Sequence, residues 1–318
     1  MSRRGWTLFT VMSVIWGVPY LLIKVADGGV SVPVLVFARV GVGAALLLPI
    51  AVRRHELGGL RPYWRWLAVF AVVEIIAPWF LLSDAERHLS SSLSGLLIAS
   101  VPIIGAVLVS ATSRTGRLSG PARAGGAERL TAVRWAGLLL GLGGVALLVG
   151  PNANGGDWWS VTEVLLTALG YSIGPLIASR KLSAAPDLGV IAVCLAAAAV
   201  VYAPAAAATW PHAMPSVRVL ASLAGLAVVC TAVAFLLFFR LIAEVGPARA
   251  TVITYINPAV AVALGVTVLN EPLTPEMVAA FVLILAGSVL ATRPGRPRGP
   301  GAADLPLRSQ QARLESPG

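Results

Sequence analysis

Apolar residues gather into ten runs along the chain, at 7–26, 32–52, 66–83, 89–112, 132–150, 159–179, 187–209, 217–239, 247–269 and 276–292. Each run falls within the roughly 17–25 residues that carry an α-helix across a bilayer. The strands of a membrane barrel would alternate apolar and polar positions over about ten residues. These runs are continuous and rich in Leu, Ala, Val and Gly, so they predict helices. Four serines (Ser90, Ser91, Ser92, Ser94) dilute the start of the fourth run and blur its boundary. The fold class predicted is an all-α integral membrane protein with ten transmembrane helices.

Composition agrees with that pattern. Of 318 residues, 57% are hydrophobic and 12% charged, and the mean hydropathy is +0.84. A soluble domain carries about 25% charged residues, so a soluble enzyme, a nucleic-acid-binding module and a disordered chain are all excluded. Arg3 and Arg4 ahead of the first run suit a signal n-region. Nine further runs follow, however, and Lys24 and Asp27 stand where a small-residue cleavage site would be, so the first run is expected to stay as a span.

The net charge of +10 is explained by topology. With the N-terminus in the cytoplasm, nineteen Lys and Arg residues fall in cytoplasmic segments and two, Arg87 and Arg218, in outer ones; Lys24, Arg39 and Arg249 lie inside spans. The positive-inside rule then puts both termini in the cytoplasm, with no need for a nucleic acid. Segments 113–131 and 293–318, rich in Gly, Arg and Pro, read as a solvated cytoplasmic loop and a disordered cytoplasmic tail.

The two halves resemble each other. Glu128-Arg129-Leu130-Thr131 before span five and Glu271-Pro272-Leu273-Thr274 before span ten lie 143 positions apart, and the same offset pairs Gly144 with Gly287 and Leu147 with Leu290. Spans four and nine share Ser100-Val101-Pro102-Ile103 and Ile256-Asn257-Pro258-Ala259; spans one and six share Trp16-Gly17-Val18-Pro19-Tyr20 and Tyr171-Ser172-Ile173-Gly174-Pro175. The expected units are a first five-helix repeat over 1–150, containing the 113–131 loop, and a second over 151–292, followed by the 293–318 tail. An odd number of spans per unit inverts the second copy, a plan found in secondary transporters with a site near the midplane.

Several of these residues together resemble the EamA-type members of the drug/metabolite transporter superfamily. They are Ile15-Trp16-Gly17, Lys24, Phe37-Ala38-Arg39, Gly246-Pro247-Ala248-Arg249-Ala250-Thr251, Tyr255-Ile256-Asn257-Pro258 and Asn270-Glu271-Pro272-Leu273-Thr274. The likeness covers about 7–292 and departs from the family at the 113–131 insertion. It implies ten helices, a multi-pass place in the plasma membrane with cytoplasmic termini, and movement of small metabolites or drugs without ATP hydrolysis, with export the expected direction.

Ionisable groups inside a membrane are functional candidates by default. Glu74, in the middle of span three, has two readings: it couples proton movement or binds a cationic solute group, or it forms a structural ion pair with Arg39, about 10 Å into span two by helical rise. Trp16, Tyr20 and Lys24 recur at four-residue spacing on one helical face, as the lining of a solute site or, for Lys24, a side chain that snorkels to the surface. Arg249 is a further site candidate or a headgroup contact. Tyr255 and Asn257 are the second-half solute contacts, with helix-to-helix bonding as the alternative for Asn257. Pro19, Pro78, Pro102, Pro175 and Pro258 lie inside spans as hinge or kink candidates.

Gly137, Gly141 and Gly144 offer a close-packing face within the bundle, or a homodimer contact. Cys194 and Cys230 read as small core residues. No nucleotide loop, metal-ligand spacing or catalytic constellation occurs, so no cofactor, metal or enzymatic role is expected. The expected partners are a small-molecule solute and the lipid bilayer. The competing class is a non-transporting membrane protein, such as a lipid-modifying enzyme or assembly factor; a passive channel is a third reading.

The topology carries a direct test. Single cysteines placed at Asp157 and Ser309, in a variant lacking Cys194 and Cys230, are expected to react with an impermeant thiol reagent from opposite sides of the membrane. Labelling from the same side overturns the inverted arrangement.

Overall fold

Hydrophobic length alone selects, among the described residues, ten helices long and apolar enough to cross a membrane. A computed structural model describes residues 2–114, 132–153, 157–246 and 250–292. The spans are α1 (Arg3–Asp27), α2 (Val32–Arg53), α3 (Arg61–His88), α4 (Ser91–Val109), α5 (Ala132–Gly150), α6 (Trp158–Lys181), α7 (Asp187–Ala208), α8 (Val217–Val245), α9 (Val252–Leu269) and α10 (Pro275–Thr292). The 293–318 tail lies outside the described residues, as does the 113–131 loop beyond its first two positions.

Local chemistry sets the helix starts. Ser2, Ser90 and Ser216 stand as N-caps whose hydroxyls accept from the backbone N–H of Gly5, Leu93 and Val219, satisfying donors that the helix leaves free. Several starts, among them those of α2 and of the second piece of α1, carry proline in the first turn, where its missing N–H costs nothing.

Half of the spans depart from a straight α-helix. α1 is two pieces, Arg3–Ile15 and Pro19–Asp27. α4 breaks after Ile98 and resumes at Val101, just ahead of Pro102. α9 begins as a tight 3-10 turn, Thr251–Tyr255, and becomes α-helical at Asn257, beside Pro258. The middle of α3 (Ala71–Ile76, ahead of Pro78) and the middle of α8 (Gly225–Val233) are both π-helical. Pro175 differs from the other four named prolines, because α6 runs through it as one helix.

Packing follows a two-fold plan. α5 packs on α10, α2 on α7, and α4 on α9. α3 meets α6 as α1 meets α8; α2 meets α8 as α7 meets α3; α4 meets α6 as α9 meets α1. Exchanging each helix with the one five spans away maps the first three pairs onto themselves and each of the others onto its stated counterpart. Sequence supports the exchange: Pro19 and Pro175, Ala71-Val72-Val73 and Ala227-Val228-Val229, and Pro102 and Pro258 are each 156 positions apart. The two π-helical segments are therefore counterparts. Between the fifth spans the offset drops to 143, because the first unit carries the longer connection before α5.

The α5–α10 contact is the tightest. A Cβ on Gly287 would lie 2.5 Å from the backbone nitrogen of Gly141 and 2.6 Å from the carbonyl oxygen of Gly137. The glycine face of α5 is thus filled by α10, which is the within-bundle reading of that motif. Gly287→Ala is expected to lower stability in detergent by about 1–3 kcal/mol, the usual cost of forcing atoms into a packed contact. Gly143→Ala, where an added methyl meets nothing within 4 Å, should leave the melting temperature unchanged.

Candidate functional site

Charge is rare inside the bundle, which makes Arg39 conspicuous. It is 7% exposed, a third of the way along α2 where that helix packs on the π-helical middle of α8. Its Nε donates to Thr231 Oγ1 at 3.1 Å, and its guanidinium lies 3.6 Å from the centre of the Trp79 ring on α3. A desolvated cation over an indole face is worth about 2 kcal/mol or more. Thr231 in turn donates to the carbonyl of Leu226 at 2.9 Å, a bond that spans the widened turn of α8. Tyr20, Tyr171, Cys230 and Glu86 lie within electrostatic range of the guanidinium. The group therefore draws on five helices: α1, α2, α3, α6 and α8.

Glu74 stands on the π-helical turn of α3 and presses its carboxyl into the notch left by Gly174 of α6, where any Cβ would overlap it. Its Oε2 is enclosed without a hydrogen-bond partner. Arg39 and Glu74 form no ion pair, so the structural pair weighed from the sequence is replaced by Arg39 on Trp79 and Thr231, with Glu74 against α6.

A second polar group lies where α1 and α3 end and α4 begins. Lys24 neither snorkels outward nor lines the Arg39 group. Its ammonium donates to the carbonyls of Glu86 and, at 2.8 Å, Leu89, at the C-terminus of α3. Glu271, in the turn between α9 and α10, takes the complementary position: its oxygens accept from the backbone N–H of Ser91 at 2.7 Å and of Ser92 at 2.9 Å, and from the Ser92 hydroxyl. A cation on the carbonyl end of α3 and an anion on the amide end of α4 both match the helix dipoles. The short turn between those helices is held from two sides, by α1 and by the second half of the chain. Arg87 adds ion pairs to Asp27 at 3.2 Å and Asp84 at 3.9 Å. Beneath the clamp Glu86 is fully buried.

The remaining sequence candidates lie elsewhere. Trp16 ends the first piece of α1 and packs on Phe235 and Phe238 of α8, with ring centres 6.1 and 4.6 Å away. The break between Trp16 and Pro19 interrupts the single face that would have joined Trp16 to Tyr20 and Lys24, because four-residue spacing shares a face only along an unbroken helix. Tyr255 shares a hydrogen bond with Thr292 of α10 at 3.0 Å. Asn257, with its amide turned so that nitrogen is the donor, bonds the carbonyls of Ser13 and Ile253 at 3.1 and 2.9 Å, tying α9 to the end of α1's first piece. Arg249 lies outside the described residues. Cys194 and Cys230 are free and buried.

Sequence reasoning passes over Trp79, Thr231 and Glu86, and takes Tyr171 and Glu271 only as parts of motifs. Glu86 was missed because span three was ended at 83, whereas α3 runs to His88. The usable signal was Ser90, whose capping position fixes the end of one helix and the start of the next.

Among the described residues, ten apolar helices around a buried cation, with buried hydroxyls and amides gathered at several helix breaks, define the class as a polytopic membrane helix bundle. The chain belongs to the EamA-like transporter family, whose pattern matches residues 3–113 and 158–293. It is 27% identical over 284 residues to the uncharacterized inner membrane transporter YedA of Escherichia coli (strain K12), covering 88% of this chain and 87% of that one. It is 24% identical over 298 residues to the uncharacterized transporter YvbV of Bacillus subtilis (strain 168), covering 91% and 92%. A solved crystal structure of a protein shares the fold with a TM-score of 0.63 at 22% identity, over 91% of this chain and 96% of that one.

Glu271→Ala removes a charged acceptor from two amides and a hydroxyl. It is expected to destabilise the protein by about 1.5–3 kcal/mol, the range for hydrogen bonds to charged groups, read as a lower melting temperature in detergent.

Proposed function

We propose that this chain is a secondary carrier that moves small organic solutes bearing an anionic group, by alternating access of two inverted units over 1–150 and 151–292. The observation that carries the reading is Arg39: a cation buried between helices of both units, with Trp79 and Thr231 as its partners in place of a carboxylate. An intramembrane cation is costly to keep and marks a solute or ion path by default. Thr231 belongs to the second unit and Trp79 to the first, so relative motion of the units changes what surrounds the guanidinium. Tyr20 and Tyr171 supply apolar walls with hydroxyl donors, and Glu74, across α3, supplies an acceptor for a solute's cationic or hydroxyl group.

The Lys24–Glu271 clamp closes one end of the bundle, which suits a carrier with gates rather than an open channel. In this reading the clamp faces the outside, both termini and the 293–318 tail face the cytoplasm, and transport needs no nucleotide. In the same reading the protein works in the plasma membrane.

Thermal-shift screening of the purified protein with carboxylates, amines and uncharged solutes of similar size is expected to select carboxylates. Counterflow of the best one in proteoliposomes should saturate, and Arg39→Gln should weaken its half-saturating concentration at least tenfold while Arg39→Lys retains part of the activity. Stabilisation by amines alone, or unchanged counterflow in Arg39→Gln, overturns the assignment. Flux that fails to saturate and shows no counterflow replaces the carrier by a channel.

A further inference from the structure

Glu86 is the most enclosed ionisable side chain of the closed end. It is 0% exposed, and neither carboxyl oxygen has a hydrogen-bond partner. The groups that face it come from every element around it: Lys24, Asp27 and Tyr20 from α1, Arg39 from α2, Tyr171 from α6, and Glu271 from the turn before α10. Asp84 and Arg87 flank it on its own helix. Lys24, a source of compensating charge, directs two of its three N–H groups to the carbonyls of Glu86 and Leu89, and the Glu86 carboxyl accepts none of them. An ionised carboxylate shut in without a donor carries a penalty of several kcal/mol. The enclosure leaves no exposed oxygen through which a solute ammonium or a hydrated cation would reach it, and a proton is the one ligand that needs no added volume.

We propose that Glu86 is a proton-binding site, occupied while the α3–α4 turn is clamped and emptied when the clamp opens. Occupied, the group is a neutral carboxylic acid beneath the Lys24 ammonium. When the turn moves away from Lys24 and Glu271, water reaches the acid, its O–H bond breaks, the proton leaves to water, and the carboxylate left behind is balanced by the Lys24 ammonium freed from the α3 carbonyls. The inference extends the carrier reading by naming a coupling ion and the residue that holds it, and places that role on Glu86 apart from Glu74.

Infrared spectra of the full chain in lipid nanodiscs, recorded across pH in light and heavy water, test this without any solute or flux. A failed carrier assay therefore leaves the result standing, and the reverse holds too. The wild-type protein is expected to show the C=O stretch of protonated carboxyl groups at neutral pH. Glu86→Gln should remove one component of that band, which remains in Glu74→Gln and in Glu163→Gln, the latter at a carboxyl buried on α6. Glu86→Asp, which keeps an acid at the position, should shift the component instead of removing it. Glu271→Ala opens the enclosure and takes away a negative neighbour, so loss of the component should move to lower pH. Absence of any protonated band in the wild type at neutral pH, a band unchanged by Glu86→Gln, or a midpoint unmoved by Glu271→Ala overturns the proposal.

Discussion

Hydrocarbon contains no water, so each backbone carbonyl freed by a helix break must find its donor within the protein. Most of the polar architecture of this chain is a response to that requirement. Tyr202 of α7 donates to the carbonyl of Ile76 at the end of the α3 π-turn, at 2.7 Å, and Thr167 of α6 donates to that of Pro78. Ser172 bonds the carbonyl of Val101 at 2.9 Å, and Ser288 of α10 that of Ala99, both at the break in α4. Asn257 serves α1 and α9, Thr231 serves α8, and Lys24 serves the end of α3. Buried hydroxyls and amides therefore converge where the helices are irregular. The same places bring ionisable groups into the bundle, since Glu74 sits on one π-turn and Arg39 hangs from the threonine that stitches the other.

Those irregular places are also where reading from the sequence lost resolution. All ten spans were legible, because twenty consecutive apolar residues admit one structure in lipid. Proline flagged four of the five interrupted helices, but nothing local distinguished Pro175, which α6 absorbs without a break, from Pro19, which opens a new helix. The π-turn of α8 has no proline and was invisible. The site was legible only in part. Arg39, Glu74, Tyr20 and Lys24 announce themselves as polar residues in apolar runs. Trp79 and Tyr171 do not, because an aromatic residue in a membrane helix is ordinary until a cation lies against it. The single face drawn through Trp16, Tyr20 and Lys24 failed for a physical reason: helical periodicity holds only as far as the helix does.

Glu271 shows how a short motif acquires a mechanism. In the chain it is one letter of Asn270-Glu271-Pro272-Leu273-Thr274. In the fold Asn270 takes a left-handed conformation that ends α9, and the turn so formed delivers a carboxylate to the amide end of α4. Gly265 lies close enough to that carboxylate and to Ser91 and Ser92 that a side chain there would displace them. Helix end, turn and anion form one unit joining the two halves of the chain.

The symmetry of the bundle stops short of its chemistry. Superposing the halves by their 156-position offset sets Glu74 on Cys230 and Arg39 on Leu195, so neither of these two groups has a charged counterpart in the other half. In the proposed carrier, rocking would exchange the shapes of the two units and leave them electrically unequal. The two access states would then meet the solute with different fields and so with different affinities, while the direction of net movement would follow the gradients.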